Sequence, residues 1–324
     1  MTRAMPEAPT LPHLDLLPQK HHETFEGPTQ VLKELPILGR MHIVEAIPNA
    51  LRADRHRGEY EIHYVVSGIL SFWVGERNYE IRPGMAFLTQ PGELHGGVDA
   101  ILEPGEWYWL RLRFPDASKP LPELSLTTTR KLKRDFAAMD AHLFPGSLQL
   151  RSCFARLIEE HRQPSAHGPL MSRLILHELM VTVIRDYAKA GVAASSTDST
   201  FLSVPIQRAV EWIQSHLTEE LPSIDDIAVQ VGLSESHFRR RFHEETGFSP
   251  LEYVTRQRVL RAKQLLHDER ISITRLAFDL GFQSSGYFAQ VFRKMTGMTP
   301  TDYRARYCQI KSPNGDREDA ASDE

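Results

Sequence analysis

The segment "GLSESHFRRRFHEETGFSPLEYV", residues 232–254, is written a second time as "GFQSSGYFAQVFRKMTGMTPTDYR", residues 281–304, and a chain that spells one unit twice must fold that unit twice. Phe238 and Phe242 correspond to Phe288 and Phe292, Thr246-Gly247 to Thr296-Gly297, and Glu252-Tyr253 to Asp302-Tyr303 at one constant offset. Upstream, Ile224, Ile227, Ala228, Val231 and Gly232 correspond to Ile273, Leu276, Ala277, Leu280 and Gly281 at an offset shorter by one. The second copy therefore carries an extra residue in its turn.

Each copy reads as helix, tight turn, helix. In the first, Ser223 is an N-cap, Asp225 and Asp226 sit in the first turn, and Ile224, Ile227, Ala228 and Val231 share a face. Gly232 permits the turn, and Phe238 and Phe242, four residues apart, bury the inner side of the next helix. Only the outer face is left for Ser236, His237, Arg239, Arg240 and His243. Net charge over the 324 residues is −4, but around this copy Arg239, Arg240, Arg241, Arg256, Arg258, Arg261 and Lys263 outnumber Glu235, Glu244, Glu245 and Glu252. Such local concentration is the pattern of a nucleic-acid footprint. Arginines on the outer face of a helix held by a tight turn fit the major groove, where guanine offers two acceptors to one guanidinium.

At these residues 204–308 resembles the tandem helix-turn-helix domain of AraC/XylS-type transcriptional regulators, with units at 223–246 and 272–296. The resemblance implies two recognition helices entering successive major grooves of double-stranded DNA, joined by a long helix that "PLEYVTRQRVLRAKQLL" matches. Carried over position by position, the base-reading residues are Ser236, Arg239 and Arg240 in the first copy and Ser285, Gly286 and Gln290 in the second. His243, Arg293 and Lys294 fall to phosphates, which fix register without reading sequence. Gly286 and Ala289 offer no side-chain hydrogen bond, so the first helix is expected to carry most base discrimination.

The N-terminal half obeys a different period. Short alternating runs such as "EIHYVVS", "LSFWV" and "WYWLRLRF" within 42–114, punctuated by Gly and Pro, argue for an all-β sandwich or barrel. From about 130 the spacing turns helical, and the long run beginning at Pro169 is expected to close at Gly191. Segment 55–97 resembles the cupin-like sensor domain of the same family. The implied fold class is a multidomain α+β chain: a cupin-like β-barrel (about 40–115) and following helices (about 130–190), then the all-α tandem helix-turn-helix domain. A flexible arm at 1–30, a linker at 191–203 and a disordered tail at 309–324 complete the expected organisation.

Strand parity puts Glu61 and His63 on one face of 60–66, and Trp107, Trp109 and Arg111 on the mixed face of 107–114. With His56 and His95 these residues form the expected effector pocket, suited to a sugar or a small carboxylate. In the alternative reading the Trp pair covers the barrel mouth or a helical interface. In metal-binding cupins the positions of Asp54, His56, Glu61 and His95 hold the ion. The regulators have mostly lost it and Asp54 replaces one histidine, so neither metal, cofactor nor catalytic residue is expected. The rival is a metal-dependent cupin enzyme fused to a DNA-binding module.

RNA polymerase is the further partner that the resemblance implies. A homodimer is plausible because 171–184 holds more apolar residues than one stripe needs. No run of 18 apolar residues and no signal-peptide pattern occurs, and Cys153 and Cys308 form no disulfide framework, so a cytoplasmic location without membrane contact is expected.

Overall fold

The computed structural model describes residues 22–309 apart from 31, 49, 99–100, 195–201 and 218–222, and within them the chain divides into two compact units, the second beginning at Leu202. In the first unit the strands are β1 (His22–Glu26), β2 (Ile37–Ile43), β3 (Glu59–Gly68), β4 (Leu70–Val74), β5 (Arg77–Ile81), β6 (Met85–Thr89), β7 (His95–Gly97) and β8 (Gly105–Arg113). Then follow α1 (Leu126–Ala137), β9 (Leu143–Pro145), α2 (Leu148–Arg162) and α3 (Gly168–Ala194). All pairings are antiparallel, and they make two sheets, ordered β1-β2-β8-β3-β6-β9 and β5-β4-β7. The expected barrel is thus realised as two facing sheets.

Both faces of β3 and β8 are buried, and their alternation sorts the core into two layers. Tyr60, Ile62 and Tyr64 of β3 and Tyr108, Leu110 and Leu112 of β8 point outward from the sandwich into a layer made with Phe136, Phe154, Leu157, Leu179 and Met180 of the helices. Val65, Trp107 and Trp109 point inward and meet Leu70, Phe72 and Ile81 of the small sheet. Ser125 and Ser147 cap α1 and α2 by accepting from the amides of Thr128 and Leu150.

Two boundaries differ from the sequence reading. Of the arm assigned to 1–30, residues 22–26 form β1, whose Glu23 accepts two hydrogen bonds from Arg162 at 2.8 and 2.7 Å; an edge strand without apolar alternation leaves little trace in sequence. Residues 1–21 lie outside the described residues, as do 195–201 of the linker and 310–324 of the tail. The long helix does not close at Gly191 but runs to Ala194. Gly191 is absent from the glycines with positive φ, so it supplies no left-handed cap and is simply a helical residue.

The second unit is helical: α4 (Val204–Ser215), α5 (Ile224–Gln230), α6 (Glu235–Thr246), α7 (Pro250–Leu265), α8 (Ile273–Asp279), α9 (Ser285–Thr296) and α10 (Pro300–Gln309). α5–α6 and α8–α9 are the two copies of the repeat. Gly232 and Gly281 both take φ +74°, in the left-handed region, and the next amide bonds back to the same place in each copy, Leu233 to the Ala228 carbonyl at 2.9 Å and Phe282 to that of Ala277 at 3.0 Å. Ala228 and Ala277 are fully buried, which lets the paired helices approach closely. Among the described residues no helix is long and apolar enough to cross a membrane.

Candidate ligand pocket and nucleic-acid surface

Between the two sheets lies a cavity of about 50 Å³, whose walls include Met41, Leu51, Phe72, Leu102, Trp107 and Trp109 and whose polar end is made by Asp54, His56, Glu61, His63 and His95. β3 presents Glu61 and His63 to it on one face, as strand parity requires. His95 arrives on β7, fixed by the reciprocal backbone bonds between Asp54 and His95 at 2.8 and 3.1 Å. Glu61 is the centre. Its Oε2 lies 2.8 Å from His95 Nε2 and 3.0 Å from His56 Nε2, and its Oε1 lies 3.0 Å from His63 Nε2.

All four side chains are buried, Glu61 to 4% exposure. Burial pushes the Glu61 carboxyl upward, but the hydrogen bonds from His56, His63 and His95 outweigh it and hold the group well below 4.5. Burial likewise pulls His95 down, and the hydrogen bond and charge of Glu61, aided by the Glu93 carbonyl and Asp54, leave it above 6.5. Glu61 and His95 therefore each favour the charged form of the other. Arg111 Nη1 stands 3.1 Å from His56 Nδ1 and 3.3 Å from Glu59 Oε2, and Glu59 is held from the other side by Arg113. Asp54 Oδ2, His63 Nδ1 and Trp109 Nε1 are buried without a hydrogen-bond partner.

The structure thus brings all seven expected pocket residues into one neighbourhood, with Trp107 and Trp109 as wall and Arg111 behind His56 rather than in the lining. Trp107, Trp109 and Glu61 line the same cavity because β3 and β8 are hydrogen-bonded neighbours, with Glu61 opposite Arg111 and His63 opposite Trp109. Phe72 was not singled out from sequence, although its alternation with Leu70 in "LSFWV" marks it as inward. Leu51, on an irregular loop, carries no such signal.

On the helical unit, Phe238 and Phe242 of α6 and Phe288 and Phe292 of α9 are fully buried, which turns the opposite faces outward. Ser236, Arg239, Arg240 and His243 are exposed on α6, as are Gly286, Gln290, Arg293 and Lys294 on α9, where Ser285 is half-buried. Arg239 donates to Glu235 one turn earlier at 2.7 Å, an exposed pair worth about 0.3–0.5 kcal/mol and easily given up. Sequence reading passed over Tyr287, which is 54% exposed beside Gly286; the burial of Phe288 and Phe292 already implied that it faces outward.

Residues 43–180 match the model of the AraC-like ligand binding domain and residues 227–306 that of a helix-turn-helix domain. Between them these matches take in well over half of the chain. The chain belongs to the AraC family. Among relatives, the arabinose operon regulatory protein of Escherichia coli K12 is 25% identical over 229 residues, 71% of this chain and 74% of that protein. The transcriptional activator RhaS of Klebsiella pneumoniae is 27% identical over 156 residues, 48% of this chain and 53% of that one. Of solved structures, the DNA-binding domain of AdpA in complex with a target DNA is 33% identical and is wholly covered by 35% of this chain, with a TM-score of 0.32. As an AraC-family member the chain is a ligand-responsive, DNA-binding transcriptional regulator.

Proposed function

We propose that this regulator reads a two-part DNA site with α6 and α9 and that occupancy of the sandwich cavity by a small uncharged molecule alters that binding. Ser236, Arg239 and Arg240 take base edges in one major groove, and Ser285, Gly286 and Gln290 lie over the next, with His243, Arg293 and Lys294 on phosphates. The single observation that carries the effector reading is the mixed wall of the cavity, where Asp54, His56, Glu61, His63 and His95 face Met41, Phe72, Leu102, Trp107 and Trp109. A hydroxyl-bearing molecule both donates and accepts, so it suits a wall that holds an aspartate and three histidines. Of the two effector classes expected from sequence, a sugar or polyol suits this wall. A carboxylate would face the Glu61 anion already held there. A ring-sized effector needs more than about 50 Å³, so the cavity has to widen to admit one.

Activation through contact with RNA polymerase belongs to the same proposal, as does a homodimer formed through α3, whose Leu170, Met171, Leu174 and Val181 are exposed. A ligand shifts such a system only if it binds one arrangement better than the other.

The test of DNA reading is selection from a random pool with full-length protein at near-physiological salt. Two short elements about one helical turn apart are expected. Enrichment of nothing beyond background, with and without effector, would overturn the reading. For the effector, sugars and polyols are screened against their matched acids by thermal shift: a true effector at 100 times its Kd adds about 2.7 kcal/mol of stability.

A further inference from the structure

Three ligand atoms of His56, Glu61 and His95 lie within 4.8 Å of one another, buried, close enough together to share one metal ion. The outer partners of the two histidines decide whether it can. A metal-bound imidazole gives its lone pair to the ion from one nitrogen and donates the N–H of the other to an acceptor. His95 satisfies this: its Nδ1 lies 3.0 Å from the Glu93 carbonyl oxygen, which only accepts. His56 does not. Its Nδ1 lies 3.1 Å from Arg111 Nη1, and a guanidinium only donates. Nδ1 of His56 must therefore be the accepting nitrogen, which puts the proton on Nε2, the atom that faces Glu61 at 3.0 Å and that a metal would need bare. Reversing the tautomer would set one N–H against another.

Arg111 is not free to turn away. Its Nη1 is also 3.3 Å from Glu59 Oε2, and its side chain is only 15% exposed. The guanidinium adds a fixed positive charge behind the site, which a dication would also have to face.

We infer that Arg111 is the specificity-determining residue of the cavity: by fixing His56 as the Nε2–H tautomer it closes the His56–Glu61–His95 triad to divalent metals and reserves the pocket for an uncharged, hydrogen-bonding molecule. Without the arginine the triad reverts to a metal site. The inference rests on the reading of this cavity as the effector site, but its test uses neither effector nor DNA, so the two can fail separately.

Tag-free full-length protein is stripped with chelator and titrated with Zn²⁺ alone, and the metal that depends on His95, taken as the difference from H95A in the same background, is measured by elemental analysis and calorimetry. The wild type is expected to show none at micromolar Zn²⁺, and Arg111→Lys, which keeps a donor-only group, to behave likewise. Arg111→Gln, whose amide oxygen accepts from His56 Nδ1, is expected to bind one His95-dependent ion per chain, with affinity raised about 10–100-fold, the range that outer partners of metal-ligating histidines command. Arg111→Met, which removes the donor without supplying an acceptor, is the second variant should Arg111→Gln lose its tryptophan fluorescence signature of folding, and is also expected to gain the ion. Stoichiometric His95-dependent Zn²⁺ in the wild type, or none in either folded variant, overturns the inference.

Discussion

Glu61 and His95 shift in opposite directions, and that fixes a pH window. Glu61 is held below 4.5 in the fold, so its contribution is present above 4.5 and is lost as pH falls through the folded value. His95 is held above 6.5, so its contribution is complete below 6.5 and is lost as pH rises through the folded value. The pair therefore stabilises the sensor unit most between those limits. The thermal midpoint of the full-length chain is expected to fall as pH rises beyond 6.5, and the slope to flatten in H95Q; equal slopes in both proteins would show that the pair contributes nothing. At the DNA face, Arg240→Ala is expected to cost about 1–3 kcal/mol at the selected site and to relax preference at one base pair. A uniform loss across all DNA sequences in a competition assay would reassign Arg240 to phosphate. Residue identity in the pocket was legible where a strand supplies it, because period-2 parity already put Glu61 with His63 and Trp107 with Trp109. It was not legible for the lock between Arg111 and His56, two residues far apart in the chain that meet only because β8 pairs with β3 and Arg111 falls opposite Glu61.

The repeat shows what an element-level pattern can and cannot specify. Its Phe pairs, Ala contacts and turn glycines recur because both copies solve one packing problem, and α5, α8 and α9 begin where Ser223, Ser272 and Ser284 cap them. Even the added residue is accounted for: the connection from α8 to α9 is longer by one than that from α5 to α6. The environments of the copies still differ. A methyl group on Gly232 meets nothing, whereas on Gly281 it strikes the guanidinium of Arg258, which donates to the Gly281 carbonyl at 2.9 Å and to that of Leu217 at 3.2 Å. Both Gly232→Ala and Gly281→Ala force a left-handed alanine and are expected to lose about 1–2 kcal/mol. Gly281→Ala should lose more, since Arg258 must also shift. Denaturant titration of the two variants ranks them, and a larger loss at Gly232 would show that the Arg258 bonds are dispensable. Where elements lack such punctuation the sequence misleads: β1 has no apolar alternation to announce it, and Gly191 resembles a cap while its backbone stays helical.

At the scale of the whole molecule the two units have separate cores: the one formed by Leu202, Ile206, Ile213, Ala228, Phe238, Phe242 and Val254 draws on no buried residue before Leu202. The sandwich and the helices were legible because their hydrophobic periods differ, 2 in the strands and 3.6 in the helices on either side of the linker, but no local period encodes how a cavity in one unit reports to helices in the other. That step is energetic, and linkage makes it measurable: if effector changes operator affinity by some factor, operator changes effector affinity by the same factor. The α3 surface enters here: in the proposed homodimer, two copies held together would place four recognition helices on one DNA and multiply affinity through effective concentration. Leu174→Glu puts a charge in the exposed stripe of Leu170, Met171, Leu174 and Val181 and is expected to shift the full-length chain from dimer to monomer in sedimentation equilibrium. Its sensor cavity should still bind effector, as Leu174 lies outside the pocket lining. Operator affinity should fall by 10-fold or more, on the order of the avidity that a linked second site supplies. If Leu174→Glu stays dimeric, the dimer does not form through this stripe; if it turns monomeric with operator affinity unchanged, the regulator reads its site as a single chain, and the effector must act within one copy.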